Sequence, residues 1–427
     1  MSSGRSPLAR VPVFSAMAAL AVLLTATSNG YGFHRDELYF RVLPPAWGYI
    51  DQPPFVPLLG RITARLSADP WAMRVPATIL AVAAVLVVVL ITCELGGGRT
   101  AQALCAWGYA FAAFPLVFGH VLLTGTVDLL IWPLVCLLVI KAILRDPRWW
   151  LGVGGVIGLA TYNKLLISLL VLALVLGLLI VGPRQVFRSR WVWIGVGIAV
   201  VVAAPNLIYQ ATHGWPQVIM GQALTDRNAG NVRVQMWQYL LLLLGPPPSI
   251  VCGFGLVALW RRPDWRLLRF LIPALLILLI ETFVGGGQIY YPLGLVTVLF
   301  AVGCVPAGTW LDRSWRRWTA VALFAVNTMV SALIALPLLP LSVLANTPIP
   351  GMNQVTADSI GWPDYAREIG NIYRAAAAKD PTTVVIVSNY GEYGAVVQYG
   401  PANRLPHPGP RQSRQGDSCG TVLAGQQ

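Results

Sequence analysis

Charge is scarce in this chain. Asp, Glu, Lys and Arg together make up 11% of its 427 residues, against roughly 25% in a soluble domain. A charged, solvated surface over most of the chain is thereby excluded. Histidine is rarer still: His34, His120, His213 and His407 are the four present, too scattered to form a metal-ligand set. The six cysteines, Cys93, Cys105, Cys136, Cys252, Cys304 and Cys419, contain no C-x-x-C pair, and five of them lie in apolar runs. Neither a zinc site nor a disulfide framework is indicated, and these residues read as small apolar packing groups. No internal repeat is visible.

What the chain has instead is apolar residues, 56% of the total, in runs of the ~20 residues that cross a bilayer. The runs predict spans near 11–29, 73–95, 101–118, 121–144, 149–163, 165–182, 191–209, 236–259, 267–284, 288–308 and 318–340. The expectation is an all-α polytopic membrane protein of about eleven helices. The formal net charge of +13 does not point to nucleic acid, because the basic residues sit in short clusters between apolar runs. Alternate loops carry Arg5 and Arg10; Arg99; Lys141, Arg145 and Arg148; Arg184, Arg188 and Arg190; Arg261, Arg262, Arg266 and Arg269; and Arg313, Arg316 and Arg317. The intervening segments 30–72, 210–235 and 284–288 are less basic per residue. The positive-inside rule places the first set in the cytoplasm. The protein is then expected in the plasma (inner) membrane, N-terminus inside and C-terminus outside. Arg5 and Arg10 before an apolar run also resemble a signal peptide, but no convincing small-residue cleavage site follows, so the run reads as a retained helix.

Two divisions are expected: a membrane domain over 1–344 and a small C-terminal α/β unit outside the membrane over 345–427. In the latter, 365–378 reads as a helix, Thr382 to Ser388 as a strand, and Asn389 to Glu392 as the turn into another helix. The tail from Pro406 is polar and loose in composition. The first outer segment, 30–72, is too long for a plain connector and too charged to span. It is expected to form short interfacial helices, since its aromatic residues favour the headgroup region. The glycines from Gly152 to Gly158 superficially suggest a dinucleotide loop, but they lie inside an apolar helix with no preceding strand. Close helix packing explains them better.

Ionisable groups near the membrane are costly and need a reason. Asp36, Glu37 and Asp51 lie in the first outer segment, and Asp128 about two turns inside an outer helix end. Lys164 lies at an outer turn, and Glu281 near another, beside Gln288 and Tyr290. All converge on the outer leaflet. Carboxylates beside cations at that depth suit transfer of a sugar from a polyprenyl phosphate. The acceptor hydroxyl needs a carboxylate base, and the lipid phosphate needs cations or N–H groups, for which Lys164, Arg35 and Arg74 are available. A transporter or flippase of a lipid-linked substrate is the rival. Transporters place ionisable groups at mid-membrane between repeated halves, a pattern absent here.

The segments Arg35 to Phe40, Tyr49 to Phe55 with Pro57 to Leu59, Met73 to Pro76, Asp128 to Leu130 and Tyr162 to Lys164 carry a resemblance. In this order they resemble the membrane-embedded (GT-C class) glycosyltransferases of the protein O-mannosyltransferase or family-39-like type, related to lipid A aminoarabinose transferases. The resemblance covers about 30–300. It implies a GT-C fold and an inverting transfer of a hexosyl or pentosyl group from a polyprenyl-phosphate sugar to a protein, lipid or glycan acceptor. It implies Asp36 as catalytic carboxylate, with Glu37 and Asp128 as further acids. Arg35, Arg74, Lys164, Gln288 and Tyr290 would meet the donor phosphate, and Tyr49, Asp51 and Gln52 would form the substrate loop. Relatives often carry a basic residue just before the tyrosines, where this chain has Gln288. No metal ligands or cofactor are called for, and a divalent cation is left open.

Overall fold

The structure is a computed structural model that describes residues 4–406. His407, Cys419 and the tail beyond Pro406 lie outside the described residues. The membrane part runs α1 Arg10–Thr27, α2 Arg35–Val42, α3 Phe55–Ala64, α4 Pro70–Glu94, α5 Arg99–Ala110, α6 Ala113–His120, α7 Thr124–Leu144, α8 Trp149–Ala160, α9 Ile167–Ile180, α10 Arg190–Thr212, α11 Pro216–Leu244, α12 Pro246–Arg261, α13 Leu271–Gly285, α14 Leu293–Trp310 and α15 Ser314–Ala335. Three one-turn helices follow, α16 Leu341–Leu344, α17 Ile349–Met352 and α18 Gln354–Ala357, then α19 Trp362–Ala377 and α20 Tyr390–Tyr399.

Helix is the natural form for these runs, because hydrocarbon offers no partner to a backbone N–H or C=O. Among the described residues, seven helices are long and apolar enough to cross a membrane, or nine if each of two bent pairs is one span. The chain is therefore a multi-pass membrane protein. Eleven spans were expected. The shortfall comes from 149–182, where Asn163 and Lys164 divide the run into helices of 12 and 14 residues. At 1.5 Å per residue these reach only about 18 and 21 Å, short of the ~30 Å hydrocarbon core.

The expected span 236–259 is also not one helix. It breaks at Gly245, where α11 and α12 meet at 99°. Gly245 has φ +92°, and a side chain there would collide with Asn327. Pro246 to Pro248 then start α12 where their missing N–H groups cost nothing. Most of 210–235, expected as an outer loop, is helical within α10 and α11.

Helices α4, α7 and α14 form the centre, with α1 and α5 packed against α4. The pairs α8–α10 and α9–α13 flank them, and α12 lies along α14. Glycines let the α8–α10 pair approach: a Cβ on Gly154 would strike the Gly195 carbonyl oxygen, and one on Gly158 the Val202 side chain. The Gly152–Gly158 stretch is thus a packing face. Outward faces stay apolar, with Ile79, Val201 and Val326 all more than half exposed, as lipid contact requires. Cys93, Cys105, Cys136, Cys252 and Cys304 are buried and unpaired.

The α/β reading of the C-terminal segment fails. Its two helices form, but no strand exists among the described residues, and 383–387 has no regular secondary structure. A lone strand leaves its backbone groups unpaired, and three or more strands, or a strand pair packed on a helix, are needed for stability. Val384 and Ile386 are accordingly 70% and 67% exposed. Instead, α20 packs on α2, and Ala395 joins Phe33, Leu38, Tyr39 and Phe40 in a second apolar cluster.

Candidate active site

The site begins with α2, whose N-terminus is capped by the side chains of His34 and Glu37. His34 Nδ1 accepts from the Asp36 N–H at 3.1 Å, and Glu37 reaches back to the His34 N–H at 2.9 Å. This reciprocal arrangement satisfies donors that a helix N-terminus otherwise orphans. Glu37 is fully buried and also meets Arg74, with Oε2 3.3 Å from Nη2 and Oε1 3.3 Å from Nε. The Leu122 N–H donates to Glu37 Oε1 at 3.1 Å. Arg74, 1% exposed, further donates to the carbonyls of Ser28, Gly30 and Gly32 and lies 3.1 Å from His120 Nε2. Glu37 and Arg74 therefore spend their hydrogen-bonding capacity inside the protein, fixing α2 to the start of α4.

Asp36, one position back, turns to the other side of α2 and keeps 29% of its side chain exposed. Its Oδ1 accepts from the Tyr390 hydroxyl at 2.8 Å and lies 3.7 Å from Arg35 Nε. Arg35 also pairs with Asp358 at 3.2 Å and sits 5.5 Å above the Tyr390 ring. Burial pushes the Tyr390 hydroxyl pKa up, and the Asp36 charge adds to that. Tyr390 thus stays a neutral donor. Burial also raises the Asp358 carboxyl, against the opposing pull of Arg35 and His34.

The substrate-loop candidates lie alongside. Tyr39 stacks obliquely on Tyr390, 5.0 Å between centroids, and donates to Asp51 Oδ1 at 3.2 Å. Burial pushes the Asp51 carboxyl up to about 6; hydrogen bonds from its own backbone and Tyr39 oppose this, and Asp36 adds to it. Tyr49 is anchored through its hydroxyl to the Pro44 carbonyl at 2.6 Å, and Gln52 is buried with its carbonyl accepting from the Tyr49 N–H. The Phe55 N–H donates to the Tyr162 carbonyl at 3.1 Å, which ties this loop to the α8–α9 turn.

On that turn, Asn163 donates to Asp128 Oδ1 at 3.0 Å and to the Thr124 carbonyl at 3.1 Å. Asp128 feels the Lys164 charge, yet the Lys164 amine makes no hydrogen bond or ion pair among the described residues. Tyr290 is close enough to Asp128 and Asp36 for both carboxylates to act on it. Its ring packs edge-on against Tyr291, 5.3 Å away, and Tyr291 in turn feels Lys164. Gln288 lies in the same turn, which Asn228 of α11 holds through the Gly287 carbonyl at 3.2 Å. Glu281 engages none of these groups.

The structure thus gathers Arg35, Asp36, Asp51, Asp128, Lys164 and Tyr290 around one region, with Glu37 and Arg74 behind it. The sequence reading missed Tyr390, Asp358 and Asn163 as parts of it. A signal for Tyr390 existed in the spacing of Gly391 and Gly394. A Cβ on either would meet Arg35 or Leu38 at under 3 Å, so they let α20 lie against α2. Among the described residues no group of three or more His, Cys, Asp or Glu gathers to hold a metal ion.

Residues 51–209 match the family described as dolichyl-phosphate-mannose-protein mannosyltransferase. The fold is shared with ArnT from Cupriavidus metallidurans bound to undecaprenyl phosphate, at 16% identity and TM-score 0.63, over 91% of this chain and 85% of that one. The apo state of the same protein gives 15% identity and TM-score 0.58, over 90% and 84%. No curated protein matches the sequence. The fold of this chain is thus that of ArnT over nine-tenths of its length.

Proposed function

We propose, from the shared fold and the carboxylate–cation cluster, that this chain transfers a sugar from a polyprenyl-phosphate donor to an acceptor hydroxyl at the outer face of the membrane. One observation carries the reading. A partly exposed carboxylate, Asp36, is held on a capped helix in the same region as a cation, Lys164, whose amine makes no hydrogen bond or ion pair among the described residues.

In this reading the acceptor oxygen attacks the anomeric carbon, and Asp36 takes its proton. The bond from that carbon to the phosphate oxygen breaks, leaving polyprenyl phosphate, and attack opposite the leaving group inverts the centre. The phosphate departs as a stable anion, so no strong acid is needed there. Lys164 holds its charge, with Gln288 and Tyr290 beside it. Asp128 and Asn163 set the turn that presents Lys164, and Arg35 lies beside Asp36, its Nε 3.7 Å from Oδ1. Tyr49, Asp51 and Gln52 shape the acceptor side. Glu37 and Arg74 act as positioning residues, because both are shut away from any substrate. The sidedness rests on the basic loops at the opposite helix ends.

The test is product formation by the purified protein from a panel of polyprenyl-phosphate sugars, read by mass spectrometry. Asp36→Asn keeps the shape but cannot accept the proton, so turnover should fall about a hundredfold or more. Donor affinity and melting temperature should change little. Near-normal turnover in Asp36→Asn would refute the base assignment. Movement of donor across the bilayer without product would instead mark a transporter.

A further inference from the structure

Helices α4 and α7 carry charge at both ends, and only one end belongs to the site above. Glu94 closes α4 about 30 Å from Arg74, and Lys141 lies about 20 Å along α7 from Asp128. At this far end Glu94 is 2% exposed and is met by three cations. Arg5 Nε lies 3.3 Å from Oε1, Lys141 Nζ 4.0 Å from the same oxygen, and Arg145 Nε 3.2 Å from Oε2. Arg145 Nη2 also donates to the Glu94 carbonyl at 3.2 Å. The N-terminal segment that brings Arg5 is pinned there, since the Ser6 N–H donates to the Cys93 carbonyl and Gln102 donates to that of Pro7.

Three cations against one carboxylate leave two positive charges unbalanced. They border a cavity of about 170 Å³ lined by Arg5, Glu94, Lys141, Arg145 and Trp149. That is well beyond the ~10–15 Å³ that admits a single water. The Lys141 side chain is only 15% exposed, and its amine stands 4.3 Å over the Trp149 ring. Of the three cations, Lys141 is the most withdrawn from water, at 15% exposure against 33% for Arg145 and 56% for Arg5, and an unbalanced cation there is costly without a counter-charge. Arginine and lysine together match the oxygens of a phosphate. A tryptophan at a helix end favours headgroup depth.

We infer that this end of the bundle binds a phosphate group, with Lys141 and Arg145 as its main ligands, Arg5 as an outer arm and Glu94 as the residue that holds them in position. The position at the ends of spanning helices favours the headgroup of an anionic phospholipid as its source. The site is separate from the proposed transfer site and does not depend on that reading.

The full chain, purified and returned to zwitterionic nanodiscs, gives the test. Phosphatidylglycerol is titrated into the discs in one arm and inorganic phosphate into the buffer in the other. Bound lipid is counted by native mass spectrometry, and stability is followed by melting temperature. Wild type should show saturable retention of phosphatidylglycerol. Lys141→Gln/Arg145→Gln should bind it about tenfold more weakly or worse. Should the double variant fail to fold, Arg5→Gln, at a residue whose side chain is 56% exposed, still reports a measurable loss. Stabilisation of wild type by inorganic phosphate, lost in the variants, would uphold the phosphate site and assign it to the free anion. Equal binding by wild type and every folded variant, or no saturable binding of either probe, would reduce the cations to partners of Glu94 and overturn the inference.

Discussion

Lys164 is the residue on which donor recognition should turn. Its amine has no hydrogen bond or ion pair among the described residues, while Asp128 and Tyr291 lie within its field, so a phosphate would meet a cation with room for a partner. Lys164→Ala should weaken binding of the polyprenyl-phosphate donor about tenfold or more with the fold intact; an unchanged dissociation constant would take Lys164 out of the site. Asp51 offers a pH handle. Its carboxyl is raised to about 6, mainly by burial, so the native state prefers the protonated form. The stability that this preference gives is fully present below the ordinary carboxylate range and is lost as pH rises through about 6. The melting temperature of Asp51→Asn relative to wild type should therefore climb between about pH 4 and 6 and level off above; a difference independent of pH would refute the assignment. At this scale the sequence exposed Asp36, Asp51, Asp128 and Lys164, since an ionisable group at a membrane edge needs a reason. Only the family resemblance singled out Asp36 over Glu37. Residue type is silent about which of two adjacent carboxylates meets Arg74, 37 positions away.

Helices were legible where composition alone decides them. The windows that became α1, α4, α7, α10, α14 and α15 are continuous apolar runs, and lipid leaves such runs no alternative to helix. Hydropathy does not record direction, so the 99° turn at Gly245 was invisible, although Gly245 and three following prolines marked the spot. Nor does it record docking. The run 383–387 has strand composition, but pairing depends on a neighbouring strand, and none is present among the described residues. The contact of α20 with α2 is where an element controls the site. A Cβ on Gly394 would stand 2.7 Å from the Leu38 carbonyl carbon, so Gly394→Val should push α20 off α2 and carry Tyr390 away from Asp36. Turnover should drop about tenfold to a hundredfold, as expected for a misplacement of about 1 Å, while helical content by circular dichroism holds. Full activity in this variant would mean that Tyr390 does not support the base.

The bundle as a whole is polarised, with the proposed transfer chemistry at one end of α4 and α7 and the basic loops at the other. If those basic loops are cytoplasmic, a cysteine placed at Arg188 should resist an impermeant thiol reagent in intact cells, and one placed at Tyr390 should react. The reverse pattern would invert the molecule and move the proposed reaction to the inner face. The hydrogen bond between Tyr390 and Asp36 also spans 354 positions of sequence, and this has a meaning in time. Chains are made from the N-terminus at about 5–20 residues per second, so Asp36 is synthesised about 20–70 s before Tyr390. Through that interval every spanning helix can be inserted while the carboxylate still lacks its tyrosine. A ribosome that stops short of α20 releases a protein with its membrane helices complete and its proposed base, Asp36, without the Tyr390 hydroxyl.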